Sequence, residues 1–287
     1  MLDEALAIRE FPEGYNNRGL SKLNIAKYSE ALDDFTRAIK IRPNFTEALT
    51  NRGNVYRLVK QYDRAHADLD RAEQSISNDA TLRAAVIVNR GVMFLSMRQL
   101  EQATTEFDRA VSINSIDTFA LNMRGLFNRL LGRYQPAIDD FTRALSIKQS
   151  PVLYNNRGLV YLDDQQYMSA LEDFLRALRL QPNGSYILNN VGITLLRLDE
   201  LERAKGYLER ALRQDAMCNE CRYNMVQILG HQNDWPGKIR MLEELIRLSP
   251  DYLAAYPLLV TAYQKVKRSR SKPAPAFCHG DGSRGPQ

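Results

Sequence analysis

The sequence predicts an all-α solenoid of stacked helical hairpins, and three observations lead to this prediction. Six glycines recur at a nearly fixed period, 34, 38, 34, 33 and 34 residues apart, at positions 19, 53, 91, 125, 158 and 192. Each glycine is followed by Ala at offsets 12 and 19 and by a large apolar residue at offset 16. Within each unit the apolar residues follow helical spacing in two runs, split by a polar break such as Lys22 to Lys27. Such a period is typical of repeat arrays rather than of a domain with one core.

The recurring small residues predict where the two helices of a hairpin cross. A side chain larger than Gly or Ala at the crossing would push the helix axes beyond their usual separation of about 8–10 Å. The large residue at offset 16 is expected to fill the space beside the crossing. In order along the chain it is Phe35, Leu69, Phe107, Phe141, Phe174 and Leu208.

This set of positions resembles the tetratricopeptide repeat. The copies also carry Tyr where that motif has an aromatic residue, as at Tyr15, and Pro at the end of the second helix, as at Pro43. The resemblance covers residues 12–252. It implies a right-handed superhelical α-solenoid of helix-turn-helix hairpins, in which the first helices line a concave groove, and a role in binding other proteins.

The resemblance divides the chain into segments. Residues 1–11 match the second helix of a repeat, residues 253–267 match a first helix that caps the array, and residues 268–287, rich in Pro, Gly and Ser, are expected to be disordered. Seven repeats are predicted between the two ends, at 12–45, 46–79, 84–117, 118–150, 151–184, 185–218 and 219–252. The seventh repeat is degenerate, because Val226 replaces the glycine.

Two local departures from the pattern are expected to be tolerated. Four extra residues precede the third repeat, close to one helical turn of about 3.6 residues. The first helix of that repeat is therefore expected to begin a turn early, with Asn78 or Asp79 as its N-cap. In the seventh repeat Pro236 falls at the start of the second helix, where proline is tolerated.

An asparagine stands two residues before the glycine position in six of the seven repeats. Asn has middling to poor helix propensity, so its return within a first helix needs a cause beyond local structure. One carboxamide carries two donors and an acceptor, which suits the backbone of an extended peptide. The row resembles the asparagine ladder in the repeats of O-linked N-acetylglucosamine transferase, which bind extended polypeptide. With two neighbouring positions included, the predicted peptide-binding residues are Asn17, Asn51, Asn54, Asn89, Asn122, Asn156, Asn190 and Asn224.

A second interpretation of this row stays open at this point. The same amides would also be explained if they bonded the neighbouring helix and stabilised the stacking of repeats. Nearby positions predicted to line the groove add further amides, at Asn16, Asn155 and Asn189, and aliphatic side chains such as Leu126 and Ile193. The groove is therefore expected to mix amide and aliphatic side chains.

Arginine precedes the glycine in five repeats, and an acid stands sixteen residues after each of these arginines. In the sixth repeat the two positions become Val191 and Tyr207, so both partners change together. We therefore predict an ion pair that clamps the two helices of a repeat. The predicted pairs are Arg18 with Asp34, Arg52 with Asp68, Arg90 with Glu106, Arg124 with Asp140 and Arg157 with Asp173.

The expected function is a non-catalytic scaffold that binds an extended peptide or protein segment in the groove. No nucleophile, base and orienting group can be assembled around His66, His231 and His279, so no catalytic residues are expected. No cofactor is expected. No metal site is expected either, because Cys218 and Cys221 stand alone where zinc needs four ligands, and the two thiols are predicted to be packing residues.

The alternative function is structural, with incomplete terminal repeats that join molecules head to tail through heterologous contacts. Binding of the acidic Hsp90 or Hsp70 C-terminus is not expected. In co-chaperone repeats the first clamp position is Lys, whereas here it is Asn16, Thr50 or Val88. The identity of the partner and the oligomeric state are left open.

Composition is that of an ordinary soluble protein, with 25% charged and 44% hydrophobic residues and a net charge of +5 over 287 residues. Lys and Arg are scattered rather than clustered with aromatic residues, so nucleic-acid binding is not expected. The most apolar run, 252–263, is too short to cross a bilayer, and residues 1–10 do not resemble a signal peptide. No membrane association is expected. Three cysteines argue against a disulfide framework and favour a reducing compartment, cytosol or nucleus, and we expect a cytoplasmic location.

Overall fold

The computed structural model describes the backbone of residues 11–270 and the side chains of residues 11–267. Every regular element in this part of the chain is an α-helix, so the predicted all-α class is confirmed. The half-repeat predicted at residues 1–11 lies outside the described residues except for Phe11. The predicted tail lies outside them beyond residue 270.

The helices follow one another along the sequence in pairs, and we call the odd-numbered helix that opens each pair its first helix. In order the helices are α1 (Pro12–Asn24), α2 (Tyr28–Ile41), α3 (Thr46–Leu58), α4 (Tyr62–Gln74), α5 (Ala80–Ser96), α6 (Leu100–Ile113), α7 (Thr118–Leu130), α8 (Tyr134–Ile147), α9 (Pro151–Asp163), α10 (Tyr167–Leu180), α11 (Ser185–Arg197), α12 (Leu201–Gln214), α13 (Asn219–His231), α14 (Trp235–Leu248) and α15 (Ala255–Arg270). The last helix runs three residues into the tail predicted from residue 268.

The described residues form two compact units, and the division falls between Asp164 and Gln165. In the first unit each helix from α1 to α9 packs on the next one, and the first helices also contact one another directly from α1 through to α9. In the second unit successive helices from α10 to α15 pack in the same way, and α11 contacts α13. Each unit is therefore a stack of hairpins, as expected for an α-solenoid. The first helices form a continuous surface within each unit.

The predicted crossings lie at the core of the hairpins. Phe35 is completely buried, and a Cβ atom added to Gly19 would lie 2.7 Å from its ring. In the second unit a Cβ atom on Gly192 would lie 2.7 Å from the side chain of Leu208. These separations are shorter than van der Waals contact, so glycine is needed here for the close approach of two helices.

The early start of the third repeat is confirmed. Helix α5 has 17 residues, whereas the first helices on either side of it, α3 and α7, have 13 each. The Asp79 carboxylate caps it by accepting a hydrogen bond of 2.8 Å from the Leu82 amide. Pro236 lies in the first turn of α14, also as predicted.

One residue in the left-handed region closes each first helix, an arrangement that ends many helices. Seven residues within 11–270 share this conformation, with φ between 58° and 69°. They are Ala26, Lys60, Arg98, Gly132, Gln165, Asp199 and Asn233. Six of the seven are not glycine, although a residue with a Cβ atom pays roughly 1–2 kcal/mol in this conformation.

Replacing Gly192 by Ala should destabilise the protein, whereas the same change at Gly206 should stabilise it. Both glycines are helical, and Ala gains about 1 kcal/mol over Gly from helix propensity alone. At Gly192 the added methyl group overlaps Leu208, and overpacking costs about 1–3 kcal/mol. At exposed Gly206 nothing lies within 4 Å of the added carbon. Urea unfolding followed by circular dichroism should give shifts of the urea midpoint of opposite sign for the two variants. Equal shifts would contradict the close approach of α11 and α12 at Gly192.

Candidate peptide-binding surface

All eight asparagines predicted to bind a peptide lie on first helices. Asn17 is exposed and the other seven are half-buried, so each is at least partly accessible at the surface of its own unit. The first unit carries Asn17 on α1, Asn51 and Asn54 on α3, Asn89 on α5, Asn122 on α7 and Asn156 on α9. The second unit carries Asn190 on α11 and Asn224 on α13.

Three of these amides donate a hydrogen bond to an asparagine of the preceding first helix. The bonds run from Asn51 to Asn16 at 2.9 Å, from Asn156 to Asn122 at 2.8 Å, and from Asn224 to Asn189 at 2.9 Å. Asn16, Asn155 and Asn189 are themselves buried, with 7%, 6% and 4% exposure. The prediction that these three line the groove is therefore wrong, because their side chains lie beneath the surface of their units.

The bonded amides keep part of their hydrogen-bonding capacity. Each uses one N–H group in the bond, and the Oδ1 atoms of Asn51 and Asn156 accept no hydrogen bond from the described residues. A carboxamide in this state still offers one acceptor and one donor to a ligand. Stacking and ligand binding are therefore compatible at the same side chain.

Asn89 and Asn54 use their amides within a single helix. The Asn89 Nδ2 atom donates to the carbonyl oxygen of Ala85 at 2.8 Å. The Asn54 Oδ1 atom accepts from Arg57, whose Nη2 atom lies 2.7 Å away. The amide Nδ2 atoms of Asn51 and Asn89 thus have different partners at equivalent positions, because the preceding repeat offers Asn16 in one case and Thr50 in the other.

A pocket opens in the first unit where the row of asparagines is interrupted. Met123 occupies the position held by Asn in the other repeats, and it lies in the wall of a cavity of about 530 Å³. The lining is mainly apolar and consists of Leu95, Phe107, Met123, Leu126, Phe127, Arg129, Leu130 and Asp163. At the polar part of the lining the Arg129 Nε atom lies 2.6 Å from Asp163. The sequence signals this pocket only through the Met that stands in place of Asn.

The predicted clamp is present in all four complete hairpins of the first unit. Arginine binds the carboxylate with two hydrogen bonds in three of them, and the acid is buried in each of these three. The distances are 2.9 and 2.6 Å for Arg18 and Asp34, 2.7 and 2.7 Å for Arg52 and Asp68, 3.0 and 2.6 Å for Arg124 and Asp140, and 3.2 Å for Arg90 and Glu106. The fifth pair, Arg157 with Asp173, joins residues of different units and stays a prediction.

Arg90 is the centre of a larger charge network. Its side chain is 8% exposed, and it binds Asp70 at 2.6 Å and Glu106 at 3.2 Å, and also Glu73. Glu73 also binds Arg109. Burial alone would raise the pKa of Glu73, but the hydrogen bond from Arg90 and the charges of both arginines hold that pKa below its ordinary value.

Acid should weaken these clamps. Burial alone would raise the pKa of Asp34, but hydrogen bonds from Arg18 and Lys22 outweigh it and lower the pKa. A carboxyl with a lowered folded pKa contributes stability that is present above its unfolded pKa, about 4, and is lost as the pH falls through the folded value. The urea midpoint should therefore fall between pH 7 and pH 3.

The matched variants are Asp34→Asn and, at an exposed acid, Glu47→Gln. We expect Asp34→Asn to reduce the difference between the urea midpoints at pH 7 and pH 3, because the titrating group is gone. Glu47→Gln should leave that difference unchanged. An identical pH dependence in wild type and Asp34→Asn would contradict the assignment.

Cys218 and Cys221 are joined by a disulfide, so the prediction that they only pack as thiols is wrong. The reason is local. Cys218 is the N-cap of α13 and Cys221 lies one turn further on, which brings their Cα atoms to 5.3 Å.

Among residues 11–267 no three His, Cys, Asp or Glu side chains are grouped closely enough to hold a metal ion. The described helices include none of the length and apolar character needed to cross a bilayer.

Comparison with known proteins gives consistent matches. Models of the tetratricopeptide repeat family match residues 12–45 and 151–183, residues 35–67, and residues 120–151. Among curated proteins, "BBSome complex member BBS4" of Bos taurus is 25% identical over 259 residues, covering 78% of this chain and 49% of that protein. "Mitochondrial import receptor subunit TOM70" of Homo sapiens is 22% identical over 254 residues, covering 88% and 37%. The chain thus spans less than half the length of these relatives.

Two solved structures share the fold at low sequence identity. The Cut9 and Hcn1 hetero-tetramer of the APC/C contains a chain with a TM-score of 0.61 and 18% identity, and the match covers 91% of this chain and 45% of that one. A tetratricopeptide repeat protein from Parabacteroides merdae has a TM-score of 0.61 and 15% identity, and the match covers 88% and 98%. These likenesses support the α-solenoid architecture.

Proposed function

Because this chain belongs to the tetratricopeptide repeat family, we propose that it is a non-catalytic protein-interaction scaffold that holds an extended peptide along its first helices. The observation that carries the proposal is the arrangement in the first unit. Asn51 precedes the apolar pocket at Met123 in the sequence, and Asn156 follows it. The amide oxygen of each accepts no hydrogen bond from the described residues. Amides suit a peptide backbone, and the pocket suits an apolar side chain.

The spacing of the first helices matches an extended chain. Packed helices lie about 8–10 Å apart, and an extended peptide rises about 3.3 Å per residue. One first helix should therefore meet about every third residue of the ligand. The five first helices of this unit would hold a segment of about ten residues.

The pocket suggests the character of the segment. Leu126 and Leu130 offer apolar contact, and Leu130 is 64% exposed, so the pocket is open to a ligand. The charges of Arg129 and Asp163 neutralise each other. We therefore expect a Leu, Met or Phe side chain in this pocket, on a segment without a strong net charge.

The experiment begins with crosslinking and mass spectrometry from native extract, which names the partner segment. Titration calorimetry of that segment should then show weaker binding to Asn51→Ala combined with Asn156→Ala. Each lost hydrogen bond to a peptide is worth about 0.5–1.5 kcal/mol, so we expect about a tenfold rise in Kd. Leu130→Asp should weaken binding without a stability cost, because Leu130 is already exposed.

The matched control is Asn16→Ala. It removes the partner of Asn51 beneath the surface and leaves the Asn51 amide in place. This variant should unfold at lower urea and still bind the segment. If the surface pair of substitutions left Kd unchanged while Asn16→Ala lowered stability, the asparagine row would serve stacking alone.

Assembly through the end of the array is the second candidate. Helix α15 exposes Tyr256, Val260 and Tyr263 at helical spacing, with 41%, 56% and 49% exposure, and a second copy of this chain would cover them. Light scattering over a concentration series tests it, since a constant monomer mass excludes assembly.

A cytoplasmic location remains part of the proposal, and fractionation of the tagged protein tests that location.

A further inference from the structure

The disulfide at the start of α13 lies outside the asparagine row and has no part in the proposed peptide binding. We propose that Cys218 and Cys221 form a redox-active dithiol–disulfide site that exchanges electrons with small thiols of the glutathione class. Cys218 is the sulfur that reacts with the small thiol, and Cys221 is the buried sulfur that leaves on reduction and resolves the mixed disulfide on reoxidation.

The two sulfurs differ in access. Cys221 is completely buried, whereas Cys218 is half-buried. Cys218 also lies in the wall of a cavity of about 270 Å³ that it shares with Tyr186 and Asn189 of α11. A small thiol can therefore reach one sulfur and not the other, which is the asymmetry that stepwise exchange requires.

The electrostatic surroundings favour a thiolate at Cys218. The backbone N–H of Cys221, at the N-terminal end of α13, donates to the Cys218 sulfur at 3.1 Å. Positive charge and helix N-terminal N–H groups both favour the thiolate over the thiol. A thiolate at Cys218 would accept the same hydrogen bond more strongly than the disulfide sulfur does.

A buried arginine adds positive charge at this turn. Arg222 is 5% exposed, and its Nη2 atom donates to the carbonyl oxygen of Ala216 at 2.5 Å, in the turn that carries Cys218, and to the Glu244 carboxylate at 3.1 Å. Its Nη1 atom is buried and has no hydrogen-bond partner among the described residues. An unsatisfied buried donor costs about 1–3 kcal/mol, which favours negative charge at this end of α13, where Cys218 stands one turn before Arg222.

Two acids also line the cavity and oppose the thiolate. Asp215 and Glu220 are both exposed, so water and salt screen their charges. Arg222 is buried and screened much less. Glu244 offsets part of the charge of Arg222, so the hydrogen bond from the Cys221 N–H at the helix N-terminus is the main feature that favours a thiolate at Cys218.

The exchange proceeds in two balanced steps. A small thiolate attacks the Cys218 sulfur, the Cys218–Cys221 bond breaks, and Cys221 leaves as a thiolate that takes up a proton. A second small thiolate then attacks the external sulfur of the mixed disulfide, and Cys218 leaves as a thiolate. Two small thiols are oxidised to one small disulfide, and the protein disulfide is reduced to a dithiol.

The test uses the full chain with Cys278→Ser, so that only the pair remains. The protein is equilibrated with reduced and oxidised glutathione, quenched with acid and labelled for mass spectrometry. We expect about 10 mM reduced glutathione to open the pair and oxidised glutathione to close it again. After complete reduction, iodoacetamide at pH 7 should label Cys218 at least about tenfold faster than Cys221 and faster than free cysteine.

Arg222→Gln should slow the labelling of Cys218 severalfold, whereas Arg213→Gln, at an exposed arginine of α12, should not. If Arg222→Gln fails to fold, the labelling rates of Cys218 and Cys221 without the arginine substitution still test whether Cys218 is activated. A pair that resists glutathione would be a structural crosslink, and a reduced Cys218 that reacts no faster than free cysteine would be an ordinary thiol. Either result overturns the proposal.

Discussion

Replacing Phe141 by Ala should lower the free energy of unfolding by about 3–5 kcal/mol, the usual cost of removing a buried phenyl ring. The ring is completely buried, and a Cβ atom on Gly125 would lie 2.9 Å from it. Glycine cannot fill the space that the ring leaves. In a repeat array each hairpin is stabilised by its neighbours, so the loss should also loosen the adjacent hairpins.

Phe119→Ala provides the control, because Phe119 lies on the neighbouring helix α7 and is 45% exposed. Its substitution should cost less than about 1 kcal/mol, as most surface substitutions do. Urea unfolding with hydrogen exchange on the same samples measures both the size and the spread of the effect. Equal losses in the two variants would mean that the crossing does not organise the hairpin.

Replacing Arg90 by Met should be about as damaging, with a loss of about 3–5 kcal/mol for breaking a buried ion pair. The change would remove the buried cation that Asp70, Glu73 and Glu106 share. Among the described residues, Glu73 and Glu106, whose side chains are only 14% and 15% exposed, would keep only Arg109, whose side chain is 43% exposed. Both the lost attraction and the new repulsion act in a partly buried site.

Two variants test this explanation. Arg18→Met should cost clearly less, because the one acid affected, Asp34, keeps Lys22 at 2.8 Å, whereas Arg90→Met takes a partner from three acids. Adding Glu73→Gln and Glu106→Gln to Arg90→Met should recover much of the loss, since the stranded charges are gone. If Arg90→Met cost no more than Arg18→Met, the stabilising effect assigned to the network would be wrong.

The fold could be predicted where a packing constraint leaves only certain residue types. Gly19 and its equivalents indicate where two helices approach closely. The joint change from Arg and an acid to Val191 and Tyr207 in the sixth repeat indicates that the side chains at these two positions contact each other. The four extra residues before α5 were interpretable for the same reason, because a whole turn preserves the buried face.

The site could be predicted less well, because its features depend on orientation rather than on residue type. An asparagine does not show which way its amide turns, and Asn51 and Asn89 differ only because of the residue one repeat earlier. Two cysteines three residues apart suit both packing and a disulfide. The residue with positive φ in each turn, such as Lys60, is of a type that does not indicate this backbone conformation.

Photo-crosslinking of the bound segment tests the proposed binding along the first helices most directly. A photoreactive side chain at position 54 on α3 and, separately, at position 126 on α7 should each crosslink the partner segment. The two attachment points should lie about six residues apart on it, because two helix spacings separate α3 from α7. Arg143, exposed on the second helix α8, provides the control position. Crosslinks from position 143 and none from 54 or 126 would contradict binding along the first helices.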